Sequence, residues 1–219
     1  MEHVLITGTS QGIGKAIALK FLENGWRVTG MDRLPADEML ALHEIYRHMQ
    51  LDIVEDELPD IEEVHILINN AGVQNSGRDI DVNLKGTIKI TERYGFHPGI
   101  RSILFIASAS ASTGSEFPEY AASKGGVVAY MKNTALRLAA YGATSNSLSP
   151  GGVISPLNDH IQNDPKLWEA VLHESMLHKW MTLEEVADWA WFLTVVNRSM
   201  TAQDVLVDNG EAARSNFVW

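Results

Sequence analysis

Near the N-terminus an apolar run, Val4-Leu5-Ile6, passes straight into Thr7-Gly8-Thr9-Ser10-Gln11-Gly12-Ile13-Gly14, and a helical pattern follows. In that pattern Ile13, Ile17, Phe21 and Leu22 recur at helical spacing and would face a sheet. Strand, glycine-rich turn and helix in that order leave few folds open. Gly8 permits the tight turn, Gly12 lets a pyrophosphate approach the backbone, and Gly14 lets the helix pack closely on the strand. The helix start, with Ser10, Gln11 and Ile13 set around the glycines, would present free amides and a positive dipole end to phosphates.

Asp32 ends the second apolar run, 18 residues beyond Gly14. A carboxylate there accepts hydrogen bonds from adenosine ribose hydroxyls and repels a 2′-phosphate, which favours NAD over NADP. Arg33 beside it pulls the other way, because a guanidinium can serve a 2′-phosphate if the carboxylate turns away.

Short β-branched runs then alternate with longer helical patterns along the whole chain. The runs are Val4–Ile6, Arg27–Met31, Met49–Leu51, Val64–Ile68, Ser102–Ile106, Thr144–Leu148 and Val205–Val207. Helical patterns lie near 13–24, 36–47, 81–94, 119–141, 165–178 and 183–196. This predicts an α/β fold, a three-layer doubly wound sandwich whose seven-stranded sheet is mostly or wholly parallel. No internal repeat or linker breaks the chain, so residues 1–219 are expected to form one dinucleotide-binding and catalytic domain. The connection from Asp52 to Val64, interrupted by Pro59, has room for only a stub of helix. Residues 150–182 are rich in bulky apolar groups, among them Leu157, Leu167, Trp168, Met176, Leu177 and Trp180. They read either as a helix pair packed on the core or a partner subunit, or as a substrate lid around 155–182.

The net charge of −11, with no basic cluster, argues against a nucleic-acid partner. No apolar run approaches membrane-spanning length and the start enters a strand directly, so neither a membrane nor a signal peptide is expected and the expected location is cytoplasmic. Cysteine is absent, which excludes disulfides and thiolate catalysis, and the eight scattered histidines form no metal-ligand pair. No metal is expected.

Tyr120 and Lys124 stand four residues apart in a helical pattern, so their side chains share one face. An ammonium beside a phenol favours the phenolate, and a tyrosine tuned this way can exchange a proton with an alcohol or carbonyl near neutral pH.

Taken together these motifs resemble the short-chain dehydrogenase/reductase family, from Val4 to about Gly210. Its TGxxxGxG turn is Thr7–Gly14, and its NNAG segment is Asn69-Asn70-Ala71-Gly72. Its active-site Asn corresponds to Asn83, its YxxxK pair to Tyr120 and Lys124, and its PG segment to Pro150-Gly151-Gly152-Val153-Ile154-Ser155-Pro156. The resemblance implies a hydride transfer between NAD(H) and a secondary alcohol or ketone. Tyr120 would exchange the proton, Lys124 would lower the Tyr pKa and hold the nicotinamide ribose, and Asn83 would hold a water linking Lys124 to solvent. The family commonly places its catalytic serine thirteen residues before the tyrosine, which here is Ala107. Counting from the strand end selects Ser108, with Ser110 the alternative. By the same resemblance Asn69, Ala71 and Gly72 border the adenosine ribose, Asp52 and Ile53 meet the adenine, and Pro150, Gly151, Val153 and Ser155 meet the nicotinamide.

Asn83 follows Gly72 by only eleven positions, so one wall of the cleft is expected to be trimmed. Two alternatives stand beside the leading reading: a cis-diol or sugar dehydrogenase of the same family, and a non-catalytic dinucleotide-binding sensor or scaffold. The resemblance also implies a homodimer or homotetramer, with the helices near 83–94 and 119–141 pairing across subunits.

Overall fold

The computed structural model describes residues 1–213, the side chain of Leu157 excepted. Residues 214–219 of the expected domain, and Leu157 as an apolar group of the lid, therefore lie outside the described residues. Seven parallel strands form one sheet in the order β3-β2-β1-β4-β5-β6-β7. They are β1 (His3–Thr7), β2 (Arg27–Asp32), β3 (Tyr46–Gln50), β4 (Ile66–Asn69), β5 (Ser102–Ile106), β6 (Thr144–Pro150) and β7 (Asp204–Val207). Strands β1, β4 and β5 are buried along their length, as a sheet covered on both faces requires.

The helices are α1 (Gly12–Glu23), α2 (Glu38–Ala41), α3 (Thr87–Tyr94), α4 (Ser110–Thr113), α5 (Pro118–Leu138), α6 (Asp159–Gln162), α7 (Pro165–Leu172) and α8 (Leu183–Trp191). Ile17 and Phe21 of α1 and Ala187 and Ala190 of α8 are buried in one apolar cluster with Val4, Ile6 and Ile68. Ile90 of α3 and Val127, Met131 and Leu138 of α5 are buried in a second, with Leu5, Leu67 and Phe105. Alternate residues of β1 and β4 thus feed opposite layers, which is the period of two that a pleated strand imposes. Phe21, Trp26 and Trp191 meet edge to face at centroid distances of 5.0–6.1 Å.

Three expectations for the elements are corrected. The pattern over 36–47 forms only one helical turn, Glu38–Ala41, and the third strand begins at Tyr46 rather than Met49. Good helix formers lose there to five ladder pairs between β3 and β2, from Val28↔Tyr46 to Asp32↔Gln50. The connection 51–65 holds no helix at all, only a turn capped by the Asp52 carboxylate. Helix α7 stops at Leu172 instead of reaching 178, and the buried Ser175 hydroxyl ties the turn that follows to Leu172 and Lys179.

The chain order reverses beside β1, whose two neighbours are β2 and β4. Ligands of such sheets lie outside the carboxyl ends of the strands at this reversal, here the ends of β1 and β4.

Candidate active site

The glycine-rich turn caps β1. Gly8 has φ +76°, and a Cβ on it would stand 2.9 Å from the Ala71 backbone. A Cβ on Gly14 would lie 2.0 Å from the Gly8 carbonyl oxygen, so the helix approaches the strand as closely as backbone allows. Gly12 differs: at φ +56° it has no atom within 4 Å of a Cβ, and its open side faces outward at the start of α1. An open glycine at a helix N-terminus fits a pyrophosphate. Asp32 is pinned beside it, one oxygen accepting from the Ser10 N–H and the other from the Leu34 N–H, each at 2.9 Å. The Arg33 side chain is exposed.

Asn70, quoted only as a motif letter in the sequence reading, ties two loops together. Its amide donates to the carbonyls of Thr7 and Gly8 at 2.9 and 3.0 Å, while the Thr7 hydroxyl accepts from the N–H groups of Asn70 and Ala71. Asn69 faces elsewhere, donating to Thr91 on α3. Asp52 is engaged with the amides of its own turn and with Arg78 at 3.5 Å, and Ile53 packs against Gly86. Val153 is buried in the core, Met181 bridges to it, and its carbonyl accepts from the Asn158 amide at 3.0 Å.

Ser108 follows β5, and Tyr120 and Lys124 lie on α5. Lys124 is buried, and its ammonium donates to the Ile106 carbonyl at 2.9 Å, 5.7 Å from the centroid of the Tyr120 ring. Burial pulls the Lys124 pKa down to about 8 against the pull of Asp79 and Glu116. Tyr120 departs from expectation. Burial pushes its phenol above the ordinary tyrosine range, a hydrogen bond with Ser108 pulls it back, and the Glu116 and Asp79 carboxylates push it up again. A lowered tyrosine was expected. The ammonium is bonded to the Ile106 carbonyl rather than to the phenol, and burial prevails.

Ser108 donates to Ser110 at 3.1 Å and Ser110 donates to Glu116 at 2.7 Å; of the two serines, Ser108 is the one whose hydroxyl lowers the Tyr120 phenol. Asn83 lies in a π-helical turn, Ile80–Gly86, that leads into α3. Its side chain accepts from the Val73 N–H and donates to the Val73 carbonyl and to Ser123, so any water it holds would need its backbone. Gly72 lies between Asn83 and Lys124: a Cβ there would be 3.2 Å from the Asn83 side-chain oxygen and 3.4 Å from the Lys124 nitrogen.

Two carboxylates were missed from sequence. Asp79 is buried and accepts from the Asn75 and Ser76 N–H groups and the Ser76 hydroxyl. Burial raises it, but those hydrogen bonds prevail and hold it below the usual carboxylate range. Glu116, at φ +72°, accepts from Ser110 and from Gln74 across the cleft. A groove of about 460 Å³ lined by Met181, Trp189, Phe192 and Val207 holds none of these residues.

A family model described as enoyl-(acyl carrier protein) reductase, one of those for short-chain dehydrogenases/reductases, matches residues 8–211. The chain belongs to the short-chain dehydrogenase/reductase family. It is 26% identical to glucose 1-dehydrogenase of Gluconobacter oxydans over 99% of this chain and 94% of that one. The 3-oxoacyl-[acyl-carrier-protein] reductase FabG of Buchnera aphidicola is 29% identical over 95% of this chain and 96% of its own. Among solved structures, one from Agrobacterium tumefaciens superposes with a TM-score of 0.88 at 26% identity, covering 97% of each chain. That structure carries NADP, and its assignment as a 2-deoxy-D-gluconate 3-dehydrogenase is itself provisional. This short-chain dehydrogenase/reductase is thus an NAD(P)-binding oxidoreductase with a Rossmann-like fold. Among its described residues no helix is long and apolar enough to cross a membrane.

Proposed function

We propose that this short-chain dehydrogenase/reductase transfers a hydride between NAD(H) and a secondary alcohol or ketone, with Tyr120 handling the proton. The observation that carries this reading is the buried Lys124 ammonium, bonded to the Ile106 carbonyl and 5.7 Å from the Tyr120 ring, with Ser108 at the end of the same strand. When bound, the nicotinamide supplies or accepts the hydride. Everything else falls to the chain. Gly8, Ser10, Gln11, Gly12, Ile13 and Gly14 hold the pyrophosphate, Ala71 and Gly72 border the adenosine ribose, and Pro150, Gly151, Val153 and Ser155 border the nicotinamide half. Ser108 bonds the reacting oxygen and steadies the charge developing there. Tyr120, neutral because burial holds its proton, donates to that oxygen in reduction. Lys124 places a positive charge beside the ring, and Asn83 fixes the wall next to it.

NAD is proposed over NADP because Asp32 cannot turn away without breaking two backbone hydrogen bonds, leaving a 2′-phosphate facing a carboxylate. A second reading, a cis-diol or sugar dehydrogenase, draws on the carboxylates grouped around Glu211. Burial raises the Glu211 carboxyl, as do the nearby carboxylates Asp208, Glu174 and Glu116. Carboxylates accept from substrate hydroxyls and repel anionic substrates. Assembly as a homodimer or homotetramer, through α3 and α5, belongs to the same proposal, and sedimentation of the purified chain tests it.

A spectrophotometric screen of alcohols, polyols, sugars and ketones with NAD(H) and NADP(H) in parallel tests the reaction. Turnover that disappears in Tyr120→Phe supports the assignment, and a Phe variant that keeps most of the rate sinks it.

A further inference from the structure

The carbonyls of Arg33, Leu34 and Pro35 lie beyond the ladder that β2 makes with β3, which ends at Asp32↔Gln50. Each is taken by a side chain instead. Gln50 donates its amide to the Arg33 carbonyl at 3.1 Å, and the His48 ring donates to the Leu34 carbonyl at 2.9 Å. The Ser10 hydroxyl donates to the Pro35 carbonyl at 2.7 Å. Three exposed residues in succession are thus held from two sides, by the edge strand β3 and by the glycine-rich turn.

The hold by His48 is itself braced. A carbonyl only accepts, so Nε2 carries the ring proton, and Nδ1 of the neutral ring accepts from the Tyr46 hydroxyl at 3.0 Å. Burial holds the Tyr46 phenol above its ordinary range, so it keeps the proton it gives. The Tyr46 oxygen accepts in turn from the buried Thr9 hydroxyl at 3.0 Å. Strand β2 makes room for this link: a Cβ on Gly30 would stand 2.3 Å from both hydroxyl oxygens.

We propose that His48 and Gln50 set the cofactor preference, by holding the 33–35 segment so that Asp32 cannot yield to a 2′-phosphate. This rests on the NAD reading above. Asp32 accepts from the Leu34 N–H at 2.9 Å, and that N–H shares a peptide with the Arg33 carbonyl that Gln50 holds. The next carbonyl is the one His48 holds. A planar peptide fixed at its oxygen is fixed at its N–H, so the donor stays aimed at the carboxylate. A 2′-phosphate needs that carboxylate to withdraw, and withdrawal either breaks the bond or drags the peptide along. Once the peptide is freed it can follow, and the exposed Arg33 can turn its guanidinium to the phosphate. His48 and Gln50 are therefore positioning residues, acting through the backbone of Arg33 and Leu34.

Fluorescence titration of NADH and NADPH gives the ratio of their dissociation constants in wild type, Gln50→Ala, His48→Ala and the double variant. Wild type prefers NADH. Each single variant lowers that preference by about fivefold, the weight of one ordinary hydrogen bond, and the double variant lowers it further. His48→Gln keeps an N–H at the reach of Nε2 and keeps the wild-type ratio. Lost stability alone weakens both nucleotides together and leaves the ratio unmoved. Gln50 lies on the exposed edge, so Gln50→Ala carries the test should His48→Ala fail to fold. Folded alanine variants with the wild-type ratio overturn the proposal, as does a His48→Gln protein as relaxed as His48→Ala. Failure of the NAD reading looks different: wild type itself then binds NADPH as tightly as NADH, and the segment has no preference to set.

Discussion

Two glycines of one turn should fail in different ways when replaced by alanine. At Gly14 the new Cβ would stand 2.0 Å from the Gly8 carbonyl oxygen and 2.4 Å from the Asn70 amide nitrogen. Relief requires the backbone to part by about 1 Å, at the upper end of overpacking costs, about 3 kcal/mol. For a chain this long that lowers the melting temperature by roughly 6–12 °C. At Gly12 the Cβ meets nothing, so the cost is only the left-handed conformation, about 1 kcal/mol after the entropy alanine removes from the unfolded chain. That is roughly 2–4 °C. The open space at Gly12 is where the pyrophosphate is proposed to lie, however, so Gly12→Ala should lose cofactor. With NADH at about a hundred times its Kd, wild type gains about 2.7 kcal/mol, or roughly 5–11 °C. Gly12→Ala should gain almost nothing. Differential scanning fluorimetry with and without NADH reads both effects. A Gly12→Ala protein that keeps the wild-type shift refutes the phosphate site, and a Gly14→Ala protein that melts like wild type refutes the packing argument.

Three further outcomes follow from groups held away from their ordinary ionisation. Burial lowers Lys124 to about 8, so between pH 8 and 10.5 the unfolded chain holds more protons and stability rises with pH. The slope is at most about 1.4 kcal/mol per unit, and urea titrations of Lys124→Met should lack it. Burial, helped by Arg27, pulls His3 down to about 4, so the unfolded chain takes up the proton first as pH falls below 6.5. Roughly 2–3 kcal/mol of stability should be lost between pH 6.5 and 4, and His3→Gln should flatten that loss in urea titrations. Arg137 forks onto both oxygens of Glu92 while lying 3.7 Å over the Phe96 ring. A lysine can do neither as well, so Arg137→Lys should cost about 1 kcal/mol in chemical denaturation.

What could be read from the sequence was what local pattern controls. The turn Thr7–Gly14 carries its own geometry, because glycine takes φ +76° at Gly8 without strain and a Cβ at Gly8 or Gly14 would strike neighbouring backbone. Strands β4, β5 and β6 were legible because buried parallel strands are nearly continuous apolar or small-residue runs. The third strand was not: Tyr46-Arg47-His48-Met49-Gln50 is polar, lies on an edge, and becomes a strand only by pairing with β2. Part of its reason sits in a side chain distant in sequence, since the Tyr46 hydroxyl bonds Thr9 at 3.0 Å. Asp79 and Glu116 were illegible for the same cause. Each is an ordinary surface-type acid by its neighbours in sequence, and only the fold brings both within reach of Lys124 and Tyr120.

Those two acids explain how α5 tolerates its lysine. A buried ammonium with a carbonyl partner at Ile106 loses several kcal/mol of hydration, and unaided it would discharge. Asp79 and Glu116 both act against that, and they do so from opposite situations. Asp79 is sealed in and kept ionised by amide and hydroxyl donors from Asn75 and Ser76. Glu116 is open to water and held by one serine and one glutamine. Asp79, shut away from water, is thus the counter-charge on which the Lys124 ammonium rests most. An Asp79→Asn variant should therefore lower the Lys124 pKa further and make turnover fall off at a lower alkaline pH. The pH profile of the Asn variant checks this, and an alkaline limb unchanged from wild type would show that Asp79 does not hold the charge.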